Sequence, residues 1–495
     1  MRKTALLAFL FLTTLWGCRL GPKYEPPCVN TPEDWKSTHA DCTTPQVAYW
    51  WEIFDDPTLN SLELQAVANN PNLYVAFERV IEALAMAGVT RADLFPQLNV
   101  NPSYTNTAVL YKVFLPPGGI STLLGTTTLG PIALPTTAPV IPPFRIHMLQ
   151  YVLPLNLSFQ LDLWGKIKSQ YESAVFNAQA QADAFYATLL SLTSNVATSY
   201  FQMRSLDSQT DMLKATYETR LKGLKITEAR FKEGISPYIN VSAASLDLTN
   251  AEAAYYDSLR QRALQENMIA TLIGVPPSSF NLPHNPLILS LPPPVIPPGV
   301  PSSILLQRPD IAQAERNMAA ENALVGAAYA SFFPSLTLTG ALGFSSPDLK
   351  DFLSWKSRLW QIGLNATQVF FDGERLAYNL AAAKARYKEA TGAYQQQVLT
   401  AFREVEDALN NIEMQAKQAE SLEKSAEAAT LSTRLSTMRY KQGIADYLEV
   451  VVYNTTELNA KISLITTLGN RYLSTVQLIQ ALGGSWKTDN ESCMP

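Results

Sequence analysis

Charge, histidine and cysteine are all scarce in this chain. Only 16% of its 495 residues are charged, Lys and Arg number 38 against 43 Asp and Glu, and there is no basic run. That balance excludes a nucleic-acid footprint, which needs clustered cations. Three His and four Cys leave little material for a metal centre, and His39, His147 and His284 share no ligand spacing. No Ser, His and Asp series suggests nucleophilic catalysis, and no Gly-rich phosphate loop follows a strand and opens a helix. The chain therefore reads as a non-enzyme without cofactor or metal. Beyond the first residues no apolar stretch of roughly eighteen lacks charge, so no membrane-spanning helix is expected.

Apolar and aromatic residues are plentiful: 47% are hydrophobic, with 21 Tyr, 20 Phe and 8 Trp, which points to a membrane or large interfaces. Residues 1–17 have the form of a secretory signal, with Arg2 and Lys3, an apolar run Ala5 to Leu15, and the small Gly17. Leu15-Trp16-Gly17-Cys18 resembles a bacterial lipobox, with Trp16 in place of the usual small residue. Cys18 is then the acylated first residue of the mature chain, or an incidental Cys after an ordinary signal. One lipid site anchors only partly, so a second membrane element is expected. Cys28 and Cys42 either pair in an oxidising compartment or stay free, with Cys493 left over.

The chain is organised around two near-copies. Phe231 to Val241 and Tyr440 to Val450 each read aromatic, Lys, polar, Gly, Ile, two small, polar or Pro residues, Tyr, aliphatic, polar, Val, at an offset of 209 residues. Each joins two long Ala-rich helical patterns, and a lone Gly there is a helix stop. The spacing predicts hairpins with tips at Gly234 and Gly443, their outgoing helices Ile167 to Lys232 and Arg375 to Gln442 each roughly 100 Å long. Their mixed four-and-three spacing implies left-handed supercoiling.

Around these hairpins the division is 18–56 as an N-terminal tether, 57–275 as a first repeat, 276–304 as a Pro-rich linker, 305–484 as a second repeat and 485–495 as a tail. Asp55 or Asp56 can cap the first helix at Pro57. Each repeat carries two alternating strands: Gln97 to Asn106 and Tyr151 to Leu163 in the first, Ser335 to Phe344 and Trp360 to Phe371 in the second. Phe95-Pro96 matches Phe333-Pro334, and Leu163-Trp164-Gly165-Lys166 matches Phe371-Asp372-Gly373-Glu374. The first repeat is longer by the Pro/Gly/Thr stretch Leu115 to Pro143, expected to be a solvent-facing loop.

Strands of about ten residues suit a barrel crossing. Four cannot close a barrel, since open edges in lipid leave backbone groups unpaired. Copies must combine, and roughly twelve strands from three copies leave a lumen where eight from two do not. A soluble sheet packed on helices is the competing reading.

Leu306-Gln307-Arg308-Pro309-Asp310-Ile311-Ala312-Gln313-Ala314-Glu315-Arg316 and Phe333 to Gly340 resemble the TolC-like outer membrane factor family, in its lipoprotein efflux branch. Gly21-Pro22-Lys23-Tyr24-Glu25-Pro26-Pro27 after Cys18 fits that branch, and so do the duplicated Gly-Ile-x-x-Tyr turns. The resemblance implies a mainly α chain with a small β part. It implies a homotrimer with an α-helical barrel extending into the periplasm and a 12-stranded β-barrel in the outer membrane. It also implies docking to a periplasmic adaptor and an inner-membrane pump, in an efflux duct for small molecules or ions.

The expected gate is at the tips. The family's frequent Asp after the second turn corresponds to Tyr453 here and to Ala243 in the first repeat. Asp446 and Glu449 are the nearest carboxylates for an acidic ring, and solvated tip charges is the alternative. Tyr238, Tyr447 and Tyr453 form either an aromatic constriction or core packing. Arg308, Pro309 and Asp310 are read as structural, Asp310 favoured by free amides at a helix start and Arg308 pairing with a carboxylate. Two other functions stay open: the exit duct of a type I protein secretion system, and a non-channel coiled-coil surface lipoprotein.

Overall fold

The computed structural model describes residues 21–27, 31–32, 34–36, 49–111, 144–287, 292–296 and 307–484. Cys18, Cys28, Cys42, Cys493, His39, the 1–17 segment, the 485–495 tail and the whole Leu115 to Pro143 stretch lie outside them. Seven long helices are described: α1 (Pro57–Asn69), α2 (Pro71–Ala92), α3 (Lys166–Lys232), α4 (Tyr238–Leu272), α5 (Pro309–Ala330), α6 (Arg375–Lys441) and α7 (Tyr447–Ala481). The strands are β1 (Gln97–Val100), β2 (Ser103–Tyr111), β3 (Phe144–Leu161), β4 (Ser335–Ser346) and β5 (Arg358–Thr367). The chain is mainly α with a small sheet, and no described helix is long and apolar enough to cross a membrane.

The duplication is visible in the helices. α3 and α6 each have 67 residues, α4 and α7 each 35, and α2 and α5 each 22. Lys166 and Lys232 correspond to Arg375 and Lys441, so 209 is the offset at the strand-to-helix corner as well. Gly165, at φ 74°, is therefore matched by Glu374, at φ 67°, and not by Gly373 as the local sequence suggests.

The chain divides into two compact units. The first contains the described residues within 88–171 and 324–381. Its antiparallel sheet has the order β1-β3-β4-β5, with β2 also on β3. The expected first strand is split at Asn101-Pro102, because Pro donates no ladder hydrogen bond. The last strand ends at Thr367, so Phe370 and Phe371 are not in it. The register gives one apolar face, with cross-strand rows Leu98, Leu157, Gly340, Ile362; Val100, Leu155, Leu342, Trp360; and Phe159, Leu338, Leu364. The other face is mostly polar, with rows Asn99, Asn156, Ala341, Gln361 and Gln160, Thr337, Asn365.

The second unit contains the described residues within 23–87, 172–323 and 382–484. Its core joins Trp50, Leu59 and Leu62 to Val196, Tyr200 and Met203 of α3, Ile269 of α4, Ile311 and Met318 of α5, Val398 and Val405 of α6, and Val476 and Ile479 of α7. Asp56 caps α1, accepting from Thr58 N and Leu59 N at 2.9 and 3.2 Å, and Tyr200 donates to its other oxygen. The linker is less free than its prolines suggest. Pro277–Ser279 forms a 3-10 turn. Buried Asp207 accepts from Arg262 Nε at 2.6 Å and from Asn285 N at 3.1 Å, and Arg204 and Arg262 donate to the carbonyls of Pro283 and Leu282. His284 sits between Asp207 and Asp211 at 3.1 and 2.9 Å.

Candidate gate at the helix tips

Both tips end their outgoing helix in the same way. Gly234 has φ 69° and Gly443 φ 75°, a conformation cheap only for glycine. Ile235 N donates to Arg230 O and Gly234 N to Phe231 O, both at 2.9 Å, and Ile444 and Gly443 repeat this on Arg439 and Tyr440. This is the Schellman pairing, which satisfies carbonyls left over at a helix end.

The returning helices diverge. Asp446 caps α7, its side chain accepting from Tyr447 N at 2.7 Å, whereas Pro237 precedes α4 without a side-chain cap. Glu449 pairs with Arg439 across the second hairpin at 2.6 Å. Asp446 and Glu449 thus both have local partners in a single chain. Of the three tyrosines, Tyr447 is 5% exposed and packs edge-on against Tyr440 at 5.1 Å. It is core within the chain, because the tight turn folds it back under the tip. Tyr238 and Tyr453 stay exposed, Tyr238 lying 5.3 Å from Phe231.

One group of residues was not anticipated. Ala244, Tyr440, Tyr447 and Val450 form a small core of their own that joins the two hairpins. Beside it Arg220 of α3 and Asp247 of α4 make an ion pair at 3.0 Å with both side chains under a tenth exposed. Burial pushes the Asp247 carboxyl up, while Arg220 and a hydrogen bond from Asn454 of α7 pull it down. Burial likewise raises the Tyr447 hydroxyl, and the Asp247 charge adds to it. Arg230 lies over the Tyr440 ring at 4.8 Å. The sequence signal was only an Arg and an Asp, fourteen and thirteen residues from Gly234 on its two sides. Spacing within one helix cannot reveal a pair between two.

Far from the tips, Arg308 donates to both oxygens of Asp310 at 3.0 and 2.6 Å and to the carbonyl of Ala481 at 2.9 Å, and it pairs with Glu404 at 2.8 Å. Burial alone would raise the Asp310 carboxyl; Arg308, the Ile311 amide and Gln397 outweigh it, so the carboxyl lies below its usual range. Pro309 is the first residue of α5. Among the described residues no group of His, Cys, Asp and Glu could hold a metal.

Duplicated helical hairpins together with a small one-sided sheet define a class, and comparison with known proteins places the chain in it. The family model described as outer membrane efflux protein matches residues 64–275 and 300–484, and the chain belongs to that family. It is 28% identical to the outer membrane protein OprJ of Pseudomonas aeruginosa, over 98% of this chain and 97% of that protein. It is also 28% identical to the probable outer membrane lipoprotein SilC of Salmonella typhimurium, over 98% of this chain and all of that one. The solved outer-membrane channel OprN superposes with a TM-score of 0.81 at 27% identity, covering 95% of this chain and 100% of that chain. Members of this family are efflux channels, not enzymes.

Proposed function

We propose that three copies of this chain form the outer-membrane exit duct of a tripartite efflux system. Its β-barrel sits in the outer membrane, with Cys18 as a lipid anchor, and its helices reach into the periplasm. There they meet an adaptor and an inner-membrane pump. The duct is closed at the tips of Gly234 and Gly443 and passes small molecules or ions when opened.

The observation that carries this reading is the sheet. Its apolar face exposes Leu98, Val100, Leu155, Leu342, Trp360, Ile362 and Leu364. Among the described residues β5 has a strand partner on one side only, as have β1 and β2. A sheet with an oily face and open edges is stable in lipid only when copies close it. A coiled-coil surface lipoprotein would need no such sheet. The lipobox-like start and the match to the outer membrane efflux protein family favour efflux over protein secretion.

The tip contacts supply closure. Arg220 and Asp247 brace the first hairpin, and Asn454 and Tyr447 tie the second to it. Replacing one partner of a buried ion pair leaves the other uncompensated, at roughly 3–5 kcal/mol. In planar bilayers the wild-type protein is expected to conduct weakly, and Asp247→Ala or Tyr447→Ala to conduct more. Protein that shows no channel in either variant, with trimers intact, overturns the gated duct.

A further inference from the structure

The linker between the repeats is held by residues of α3 and α4 within the helical unit, and its residues 282–287 are tied down one after another. Leu282 N donates to Glu266 Oε1 at 2.6 Å, and the Leu282 carbonyl accepts from Arg262 at 2.8 Å. The Pro283 carbonyl accepts from Arg204 at 2.9 Å. Asn285 N donates to Asp207 Oδ2 at 3.1 Å, and Leu287 N to Ser208 Oγ at 2.9 Å. Leu282 and Ile296 are buried in the core. Proline brings no amide to a run like this, so the amides of Leu282, Asn285 and Leu287 carry much of the docking.

His284 is held through its side chain. Nδ1 lies 3.1 Å from Asp207 Oδ1, and Nε2 lies 2.9 Å from Asp211 Oδ1. Both partners are carboxylates, and an ionised carboxylate only accepts. A neutral imidazole has one N–H to give. With that hydrogen on Nδ1, the bare Nε2 faces an oxygen of Asp211. With it on Nε2, the bare Nδ1 faces Asp207 instead. Only the imidazolium, with a hydrogen on each nitrogen, satisfies both contacts.

The charges around the ring agree. Those facing it and its partners are Arg204, Asp207 and Asp211 of α3 and Arg262 and Glu266 of α4. Asp207 takes Arg204 at 3.2 Å and Arg262 at 2.6 Å, and Arg262 also pairs with Glu266 at 3.2 Å. Two guanidiniums thus stand against three carboxylates, and the balance closes when His284 supplies the third positive charge. Asp207 is fully buried, whereas the side chains of His284 and Asp211 are 43% and 53% exposed. Water can therefore deliver and remove the proton at Nε2.

We propose that His284 is a proton-operated latch on the linker. In acid the doubly protonated ring bridges Asp207 and Asp211 and holds residues 282–287 on α3. When one proton leaves, Nδ1–H stays on the buried Asp207, Nε2 is set against Asp211, and this part of the linker loosens. Imidazole changes charge between about pH 5 and pH 8. The hold is full at the acid end of that window and is lost toward the alkaline end. The linker joins α4 to α5, so the latch sets how firmly the first repeat is fastened to the second. It stands whether or not the duct is gated at the tips.

Hydrogen–deuterium exchange of the full chain in detergent tests this, read by mass spectrometry on peptides covering residues 282–287 and corrected for the intrinsic effect of pH on amide exchange. Protection in the wild type should fall roughly two- to five-fold between about pH 5.5 and about pH 8, the scale of a part-exposed ion pair. His284→Gln should remove the difference, with exchange in acid and in alkali as fast as in the alkaline wild type. Asp211→Asn should remove it in the opposite sense. An amide side chain can donate to a bare Nε2 or accept from a protonated one, so the linker stays protected throughout. His147→Gln should keep the wild-type difference. Equal protection of the wild type at the two pH values overturns the latch. A difference that survives in His284→Gln overturns it as well, since the titrating group then lies elsewhere, and one that survives in Asp211→Asn removes Asp211 as the partner that drives release.

Discussion

At the scale of single residues, Glu63 is the most conspicuous polar group in the helical core. It is fully buried, and among the described residues the Ala197 amide is the polar group that bears on its carboxylate. Burial pushes its carboxyl well above the ordinary range, opposed in part by the nearby Ala197 amide. Its folded-state value is raised, so the folded chain holds the proton more tightly than the unfolded one. Stability is then greatest below the ordinary Glu value of about 4.3 and falls as pH rises toward the folded value. Glu63→Gln should therefore stabilise the protein more at pH 8 than at pH 5, read from thermal melts at the two pH values. An equal effect at both would contradict the buried neutral carboxyl. Arg308 is the opposite case, with its ion pair satisfied. Arg308→Ala should cost about 3 kcal/mol in unfolding measurements, since it strands the carboxylates of Asp310 and Glu404 and the carbonyl of Ala481. The sequence suggested a carboxylate partner for Arg308 without saying which. The bond to Ala481 was not legible, because it spans 173 residues.

At the scale of elements, the hairpins were readable because helix stops are local. Gly234 and Gly443 mark them in sequence, and the left-handed backbone follows. Strand ends were read less well. Alternation continues past Thr367 into Val369 and Phe371, but a strand needs a partner, and β4 begins at Ser335, opposite Thr367. The corner equivalence was misread by one residue for a similar reason. Gly373 draws the eye, while the matched left-handed position is Glu374. A side chain in that conformation costs roughly 1–2 kcal/mol. Glu374→Gly should accordingly raise the melting temperature of the detergent-solubilised protein; a lower value would mean that the Glu374 side chain contributes a contact that outweighs the strain.

At the scale of the molecule, among the described residues of a single copy the outer sheet edges are open and several aromatic residues are uncovered. Light scattering with detergent subtracted should give three chains per particle, and two chains would remove the room for a lumen. The sequence by itself determined the duplication, the mainly α class, the tips and the need for partners, since periodicity, glycine stops and apolar alternation are short-range signals. Only the tertiary structure decided that Tyr447 is buried, that Arg220 meets Asp247, that Asp207 pins the linker, and which strand residues face each other. Those pairings join positions from tens to about two hundred residues apart in sequence, and they are set by how the helices and strands pack against one another.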